Sequence, residues 1–329
     1  MPGHFYADLN LLLGLLLGLP LFSTLLPLGG VGRTIGPLQQ QTQHASNTTN
    51  IANDERDIRS LEIGKHIRRE LAGGQQHTYR IRLSVDQFLK VIMEQNGIDL
   101  VVQVSGPDGR QILQVDSESR LQGQEQVSLV AEAAGDYRLA VEPKLQRAVD
   151  GSYEIRIEEL RAATDTDRAL YDACKSYEQS LELQRAGKYD EALPLAERVL
   201  EVRERLLGAE HHDVAAAIRV LAGIYFDRGE YVKAEPLYKR AIDIRGKGLG
   251  KDHPDTAQSL NDLAVLYRLQ LKYAEAEPLL KRALDIRERT LGKDHPDTAN
   301  NVDYLAALYR SQGKYAEADS PGVITVWVR

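Results

Sequence analysis

Histidine-containing pairs recur in the C-terminal half of the sequence, where a metal ion or an acid–base reaction could use them. His253-Pro254 and His295-Pro296 are 42 residues apart, and His211-His212 stands one period earlier. Imidazole nitrogens ligate zinc at about 2 Å, whereas packed helices lie roughly 8–10 Å apart. Ligands from neighbouring repeats would be too widely separated, so we interpret these histidines as residues that open turns.

Four aspartates, Asp99, Asp108, Asp116 and Asp136, could supply the oxygen ligands that calcium prefers. Asp108 and Asp136 adjoin glycines and are better explained as turn formers. The sequence also lacks the closely spaced Asp and Asn residues of an EF-hand loop. We therefore predict that no metal is bound.

Composition and motifs argue against several other functions. The single cysteine, Cys174, excludes an internal disulfide and a multi-cysteine zinc site, and we interpret it as a packed apolar residue. Lys and Arg number 41 against 48 Asp and Glu, a net charge of −7, and no basic cluster suits nucleic acid. Neither a phosphate-binding Gly-Lys-Ser/Thr loop nor a nucleophile elbow is present, so we predict no catalytic residue, no cofactor and no enzyme activity.

A 42-residue period organises the C-terminal half of the chain. It is visible in four tyrosines, three prolines and three Leu-Gly pairs, and residues 249–277 match residues 291–319 at 20 of 29 positions. A period of this length indicates a stack of supersecondary units that bury their apolar faces on one another. The tyrosines are Tyr189, Tyr231, Tyr273 and Tyr315, and the prolines are Pro194, Pro236 and Pro278.

Each unit contains the pattern of two helices. Leu260, Leu263, Ala264 and Tyr267 follow the spacing of one helical face, and a second helix is expected to begin just after each repeat tyrosine. Each proline should lie near the first turn of that second helix, and the Leu-Gly pair should end it. Basic positions such as Arg287 are interpreted as a solvated helix face.

The repeat text resembles the tetratricopeptide (TPR) repeat of the kinesin light chain type. Leu249-Gly250-Lys251-Asp252-His253-Pro254-Asp255-Thr256-Ala257 is characteristic of that repeat and recurs from Leu291 to Ala299. The resemblance covers residues 167–320, about half of the chain. It implies helix–turn–helix units stacked into a right-handed superhelix whose concave groove binds a peptide or a partner protein.

The resemblance also suggests residues for that groove. Asn261 matches an asparagine that lies on the concave side of such repeats, and Arg219 and Asp303 are its equivalents by the period. Arg268 and Arg310 also recur and could face an acidic group in the groove. Ordinary solvated surface is the alternative interpretation of all five residues.

The two ends of the array depart from the pattern. The first helix, predicted at 167–185, lacks the Leu-Gly lead-in, as expected of an end cap. After Ala318 the repeat text is replaced by Asp319-Ser320-Pro321-Gly322, and the tail 321–329 resembles no part of the repeat. We expect a truncation or frameshift near Asp319, with self-association possible at the incomplete last unit.

Residues 61–160 have the alternating pattern of short strands separated by turn residues. Tyr79, Ile81 and Leu83 fall on one strand face, and Asp108-Gly109 is a strong hairpin signal. The pattern predicts an antiparallel β-sandwich of about 100 residues. The fold class is therefore a multidomain β + α chain, in which a β-sandwich precedes an α-solenoid.

This strand-rich segment resembles the bacterial pre-peptidase C-terminal β-sandwich. The similar text is Glu70-Leu71-Ala72-Gly73-Gly74, Gly106-Pro107-Asp108-Gly109-Arg110 and Ala134-Gly135-Asp136-Tyr137. A similar domain followed by helical repeats occurs in exported bacterial proteins, some of which end in a caspase-like CHAT protease domain.

The N-terminal 60 residues precede both domains. From Leu9 to Val31 the chain is almost wholly apolar and uncharged, which is typical of a signal peptide or a membrane anchor. We therefore expect 1–31 to be such a leader and the protein to be periplasmic, extracellular or membrane-anchored. Residues 32–60, rich in Gln, Asn, Ser and Thr, are predicted to be a polar linker.

These patterns favour a non-catalytic scaffold that binds a protein or peptide on the concave face of the array. Two alternatives remain at this stage. The chain could be the truncated regulatory half of a CHAT-type protease, or it could be a structural envelope protein.

Overall fold

A computed structural model describes residues 58–116, 122–145 and 150–318. The predicted leader, most of the linker and the tail after Ala318 lie outside the described residues. The sheets and helices belong to one compact unit. Within the described ranges, no helix combines the length and the apolar character needed to cross a membrane.

The first domain consists of two sheets. In the part of the chain that the structure describes, a five-stranded sheet has the order β1-β3-β8-β5-β6 and a four-stranded sheet has the order β2-β9-β4-β7. The strands are β1 (Ile58–Ser60), β2 (His66–Leu71), β3 (His77–Leu83), β4 (Gln87–Asn96), β5 (Leu100–Ser105), β6 (Gln111–Val115), β7 (Gln122–Val130), β8 (Gly135–Pro143) and β9 (Gly151–Ala162).

Alternating side chains build the core between the sheets. Tyr79, Ile81 and Leu83 of β3 are buried while the residues between them are exposed, as the sequence predicts. The predicted hairpin at Asp108-Gly109 joins β5 to β6, with Gly109 at φ 79°. The β-sandwich is confirmed with one difference, because β1 pairs with β3 in parallel and begins at Ile58, inside the predicted linker.

The second domain is an array of helices. Those of the described residues are α1 (Asp165–Arg185), α2 (Tyr189–Leu207), α3 (His212–Asp227), α4 (Tyr231–Gly248), α5 (Pro254–Leu269), α6 (Tyr273–Thr290), α7 (Pro296–Ser311) and α8 (Tyr315–Ala318). Each period therefore contains a first helix, with an odd number, and a second helix, with an even number.

The ends of the helices follow the local sequence. The second helices begin at the repeat tyrosines, and the Leu-Gly pairs end three of them with Gly208, Gly250 and Gly292 at φ between 88° and 105°. The placement of the prolines was wrong by a turn. Pro194, for example, is the sixth residue of α2 and lies inside the helix, where it removes a backbone hydrogen bond.

The array curves toward its first helices. The first helices of adjacent units contact each other in two places, α1 against α3 and α5 against α7, whereas the described second helices show no comparable contact. Helices on the inside of a curved stack approach one another more closely than those on the outside. We call the surface formed by α1, α3, α5 and α7 the inner face.

The sandwich packs directly on the first helix of the array. Tyr171 of α1 is buried in the sandwich core, and Cys174 packs against the same cluster. Arg168 donates from Nε to Asp86 Oδ1 at 2.8 Å, and Lys175 pairs with Glu132. The apolar side of α1 that no other helix covers is therefore covered by the sheets.

Candidate binding groove on the inner face

A charged pair lies at the centre of the inner face. Arg219 Nη1 of α3 is 3.6 Å from Asp262 Oδ2 of α5, and the two side chains are 32% and 18% exposed. The separation exceeds hydrogen-bonding distance. Although burial acts to lower the pKa of Arg219, the Asp262 carboxylate raises it above the ordinary value, so Arg219 stays charged.

A chain of hydrogen bonds links this pair to the next units. Gln258 Nε2 donates to Asp262 Oδ1 at 2.9 Å, and Arg287 Nη2 donates to Gln258 Oε1 at 2.6 Å. Arg287 Nη1 and Asn261 Nδ2 both donate to Asn301 Oδ1, at 3.4 and 2.9 Å. We call Arg219, Gln258, Asn261, Asp262, Arg287 and Asn301 the inner polar network. It fixes three successive units relative to one another.

Arginines of the second helices hold the repeats in register. Arg203, Arg245 and Arg287 are 42 residues apart, and each donates from Nη1 to the carbonyl oxygen ten residues later, at 3.0, 2.8 and 2.8 Å. Burial lowers the pKa of Arg245 and of Arg287. The interpretation of Arg287 as solvated was wrong, because it is only 3% exposed. Its guanidinium reaches the first turn of the next unit, which sequence spacing alone does not reveal.

The five predicted groove residues fall in different environments. Asn261 is fully buried and bonded to Asn301, so a partner cannot reach it in this conformation. Arg268 Nη1 lies 3.4 Å from Ser311 Oγ. Arg310 is exposed, and Asp303 is half-buried. The structure thus brings Arg219 and Asn261 into one network and leaves Arg268 at the end of α5.

The sequence analysis did not identify Asp262, Gln258 and Tyr304 as candidate residues of the groove. Burial first, and then the Asp262 carboxylate, raise the pKa of Tyr304 to about 12. A signal was available, because position 262 is Glu178, Val220 and Tyr304 in the other units while the packing positions around it repeat. The units differ at this position, from the buried Val220 to the partly exposed Asp262.

The repeat histidines are structural, and the structure shows that they cap helices. Nδ1 of His211, His253 and His295 accepts a hydrogen bond from the backbone N–H two residues later, at 3.2, 3.1 and 3.1 Å. His211, His212 and Asp213 could each offer a metal ligand within 4.8 Å of the others. The Nδ1 of His211 is already engaged by its cap, and the helix N-terminus disfavours a cation.

The candidate calcium ligands have other partners. Lys144 Nζ lies 2.9 Å from Asp116 Oδ1 and 3.8 Å from Asp99 Oδ2, so an ammonium stands between these carboxylates. Asp108 Oδ1 accepts from the backbone N–H of Arg110 at 3.0 Å, as a turn former does. Asp136 differs from the prediction in lying within β8.

The thiol of Cys174 is not activated. Burial raises its pKa to about 11, so it is protonated at neutral pH. A protonated thiol is a weak nucleophile. Cys174 packs as predicted, although it does so against the sandwich core.

Comparison with known families identifies the helical array. The sequence profile of the tetratricopeptide repeat family matches residues 181–247, 219–289 and 255–320. Residues 181–320 are tetratricopeptide repeats. The TPR assignment agrees with the helix pairs and the period. No curated protein sequence is significantly similar to this chain.

Several solved structures are similar to parts of this chain. Kinesin light chain TPR-like repeats from Podosopora anserina share 26% identity, with 50% of this chain and 76% of that chain covered and a TM-score of 0.41. BtubC (BKLC) from P. vanneervenii shares 24% identity over 50% of this chain and 63% of that chain, with a TM-score of 0.44. The pre-peptidase C-terminal domain of collagenase from Bacillus anthracis shares 15% identity over 31% of this chain and 94% of that domain, with a TM-score of 0.26.

Proposed function

We propose that this chain is a non-catalytic scaffold that binds a peptide segment of a partner protein on the inner face of its TPR array. The observation that supports this most is the state of Arg219. Its side chain is 32% exposed and ion-paired to Asp262, yet it forms no hydrogen bond with any described residue.

An arginine in this state suits peptide recognition. Its N–H donors are unused, and hydrogen bonds from a charged donor contribute more than neutral ones. The carbonyl oxygens of an extended peptide are acceptors that every sequence offers. Because Asp262 keeps Arg219 charged and in place, the donors are oriented before the partner arrives.

The inner polar network supports the same function mechanically. Asn261 and Arg287 are buried and join α5, α6 and α7 through Asn301. In this proposal they do not contact the partner. They hold the inner face in one shape, so that little conformational entropy is lost when the partner binds.

The proposal is tested by crosslinking followed by titration. A photo-crosslinking amino acid at Gln258 should capture the partner, whereas the same group at exposed Arg198 of α2 should not. The affinity of the captured partner should fall about tenfold in Arg219→Ala. Arg198→Ala, which removes the same charge from the outer side, should leave the affinity unchanged. Equal losses in the two variants would refute binding on the inner face.

We also propose that the protein is exported or membrane-anchored. The uncharged apolar segment from Leu9 to Val31 supports this location. A tagged protein should therefore separate with the membrane or the exported fraction of its host, and deletion of residues 1–31 should return it to the cytosol. Recovery of the full chain in the cytosolic fraction would exclude this location.

A further inference from the structure

The outer face of the five-stranded sheet carries three arginines close together. Arg80 and Arg82 of β3 and Arg138 of β8 are exposed, while the residues between them point into the core. Two residues on the same face of a strand are about 6.6 Å apart. The three guanidiniums therefore occupy one small patch, which we call the arginine patch.

The strand register places two of these like charges directly opposite each other. Arg80 pairs with Arg138 across β3 and β8. Beyond them in the same row lie Ser60, opposite Arg80, and Ser105, opposite Arg138. Like charges at opposed positions are destabilising, and neither serine can neutralise them. Folding alone therefore does not account for this arrangement.

Acids compensate the patch only in part, since Asp136 lies opposite Arg82 in the strand register. Arg80 Nη1 lies 4.0 Å from Asp136 Oδ2, at the limit of an ion pair. Neither Arg82 nor Arg138 forms an ion pair or a hydrogen bond with any residue that the structure describes. Arg156 on the other sheet differs, because it contacts Glu94 at 2.8 Å and Glu158 at 3.2 Å.

A cavity of mixed lining borders the patch, with Glu62 and Asp136 beside its apolar side chains. It has a volume of about 600 Å³, reaches Arg80 and Arg82, and is lined in part by Ile63, Ile157 and Leu160. Ile63 is 61% exposed. A protein segment can present carboxylates and an apolar side chain next to each other. Sulfated polysaccharides carry anions without such side chains.

We propose that the arginine patch and this cavity form a second docking surface, which binds an acidic segment of a partner protein. Two neighbouring carboxylates would bind Arg80, Arg82 and Arg138, and an adjacent apolar side chain would enter the cavity beside Ile63. This surface is on the sandwich and does not depend on the inner face of the array.

A labelled peptide tests the proposal on the full chain. The probe contains two adjacent glutamates followed by leucine, and its binding is measured by fluorescence anisotropy at low salt. Affinity should fall about tenfold in the Arg82→Gln, Arg138→Gln double variant and should weaken as salt is added. The control double variant Arg68→Gln, Arg198→Gln removes the same charge elsewhere and should bind like the native protein.

Further measurements separate the alternatives. Replacing the probe's leucine by glycine should weaken binding, and Arg219→Ala should not affect it, which distinguishes this surface from the proposed groove. The thermal midpoint of the Arg82→Gln, Arg138→Gln variant should stay close to that of the native protein, because it removes both the Arg80–Arg138 repulsion and the Arg82–Asp136 attraction. Equal loss in both double variants, or binding of heparin but not of the peptide, would overturn the proposal.

Discussion

Arg287 and Arg289 lie two residues apart on α6 and experience opposite environments. Arg287 is 3% exposed and donates to the Asp297 carbonyl oxygen at 2.8 Å. The Arg289 side chain is 53% exposed and pairs with Asp285 at 2.8 Å. A buried guanidinium satisfies the hydrogen bonds of the groups around it, and no water replaces it there. The groups of an exposed ion pair can bond to water instead.

Replacing these two arginines should therefore have unequal effects. Arg287→Ala should lower the free energy of unfolding by about 3 kcal/mol, because it leaves Gln258, Asn301 and the Asp297 carbonyl short of a donor. Arg289→Ala should cost less than about 0.5 kcal/mol. Urea unfolding measures both values, and similar losses would show that the inner polar network does not stabilise the array.

Asp167 carries a stabilising charge at the start of α1. It completes a capping box with Thr164 and accepts from Arg161 Nη1 at 2.6 Å. The Arg161 hydrogen bonds, and then those from Thr164, outweigh burial and hold the pKa of Asp167 far below its usual range. Its contribution is therefore fully present above the unfolded pKa of about 4 and is lost as pH falls toward the folded value.

The Asp167→Asn variant should show this pH dependence. At pH 7 it should be less stable than the native protein by about 1–2 kcal/mol. The difference should shrink as the pH falls below about 4. Asp172→Asn, at a side chain that is 66% exposed, should show little difference at either pH. If Asp167→Asn lowers the free energy of unfolding by the same amount at pH 7 and at about pH 2.5, the charge of Asp167 does not stabilise the protein.

At the scale of elements, glycines set where strands and helices begin and end. Gly135 opens β8 with φ 150°, and a Cβ at this position would lie 2.6 Å from Pro107 Cβ. Gly64 has φ 77°, and a Cβ there would meet no described atom within 4 Å. A side chain at position 135 would therefore clash with Pro107. A side chain at position 64 would be disfavoured only by the backbone conformation of that residue.

Alanine substitutions should separate these two effects. Gly135→Ala should cost about 3 kcal/mol, because it adds a steric clash to an unfavourable backbone angle. Gly64→Ala should cost about 1 kcal/mol from the backbone angle alone. Thermal and urea unfolding provide the comparison, and a Gly135→Ala cost no larger than that of Gly64→Ala would show that β8 can shift away from Pro107.

Helix ends were predictable to the extent that they depend on local chemistry. The positive-φ glycines after Leu207, Leu249 and Leu291 follow from single residues and their neighbours. The interior position of Pro194 and the parallel pairing of β1 do not. The pairing of β1 depends on β3, an element further along the chain.

At the scale of the whole molecule, the sandwich and the TPR array share a core at α1. Tyr171 is 7% exposed and lies in the sandwich cluster, and Ala163, just before the helix, lies there as well. Backbone hydrogen bonding continues across the junction, since the Ala163 N–H donates to the Asp86 carbonyl oxygen at 2.9 Å. The sandwich thus takes the place of a terminal capping repeat.

A shared core predicts coupled unfolding. Calorimetry of the native protein should show one transition for sandwich and array together. Tyr171→Ala should cost about 3 kcal/mol or split the transition in two, because it removes a buried ring from the junction. Tyr315→Ala, at a side chain that is 66% exposed, should do neither. Two separate transitions in the native protein would show that the domains unfold independently.

The sequence alone determined the period, the helix pairs, the strand alternation and the glycine caps, because each depends on residues close together in the chain. It also identified Arg219 as a groove candidate. Only the tertiary structure decided that Asn261 is buried, that Arg287 joins two units and that Arg80 faces Arg138. These facts depend on which distant residues become neighbours. Burial and strand register arise from that packing, and a local pattern does not encode them.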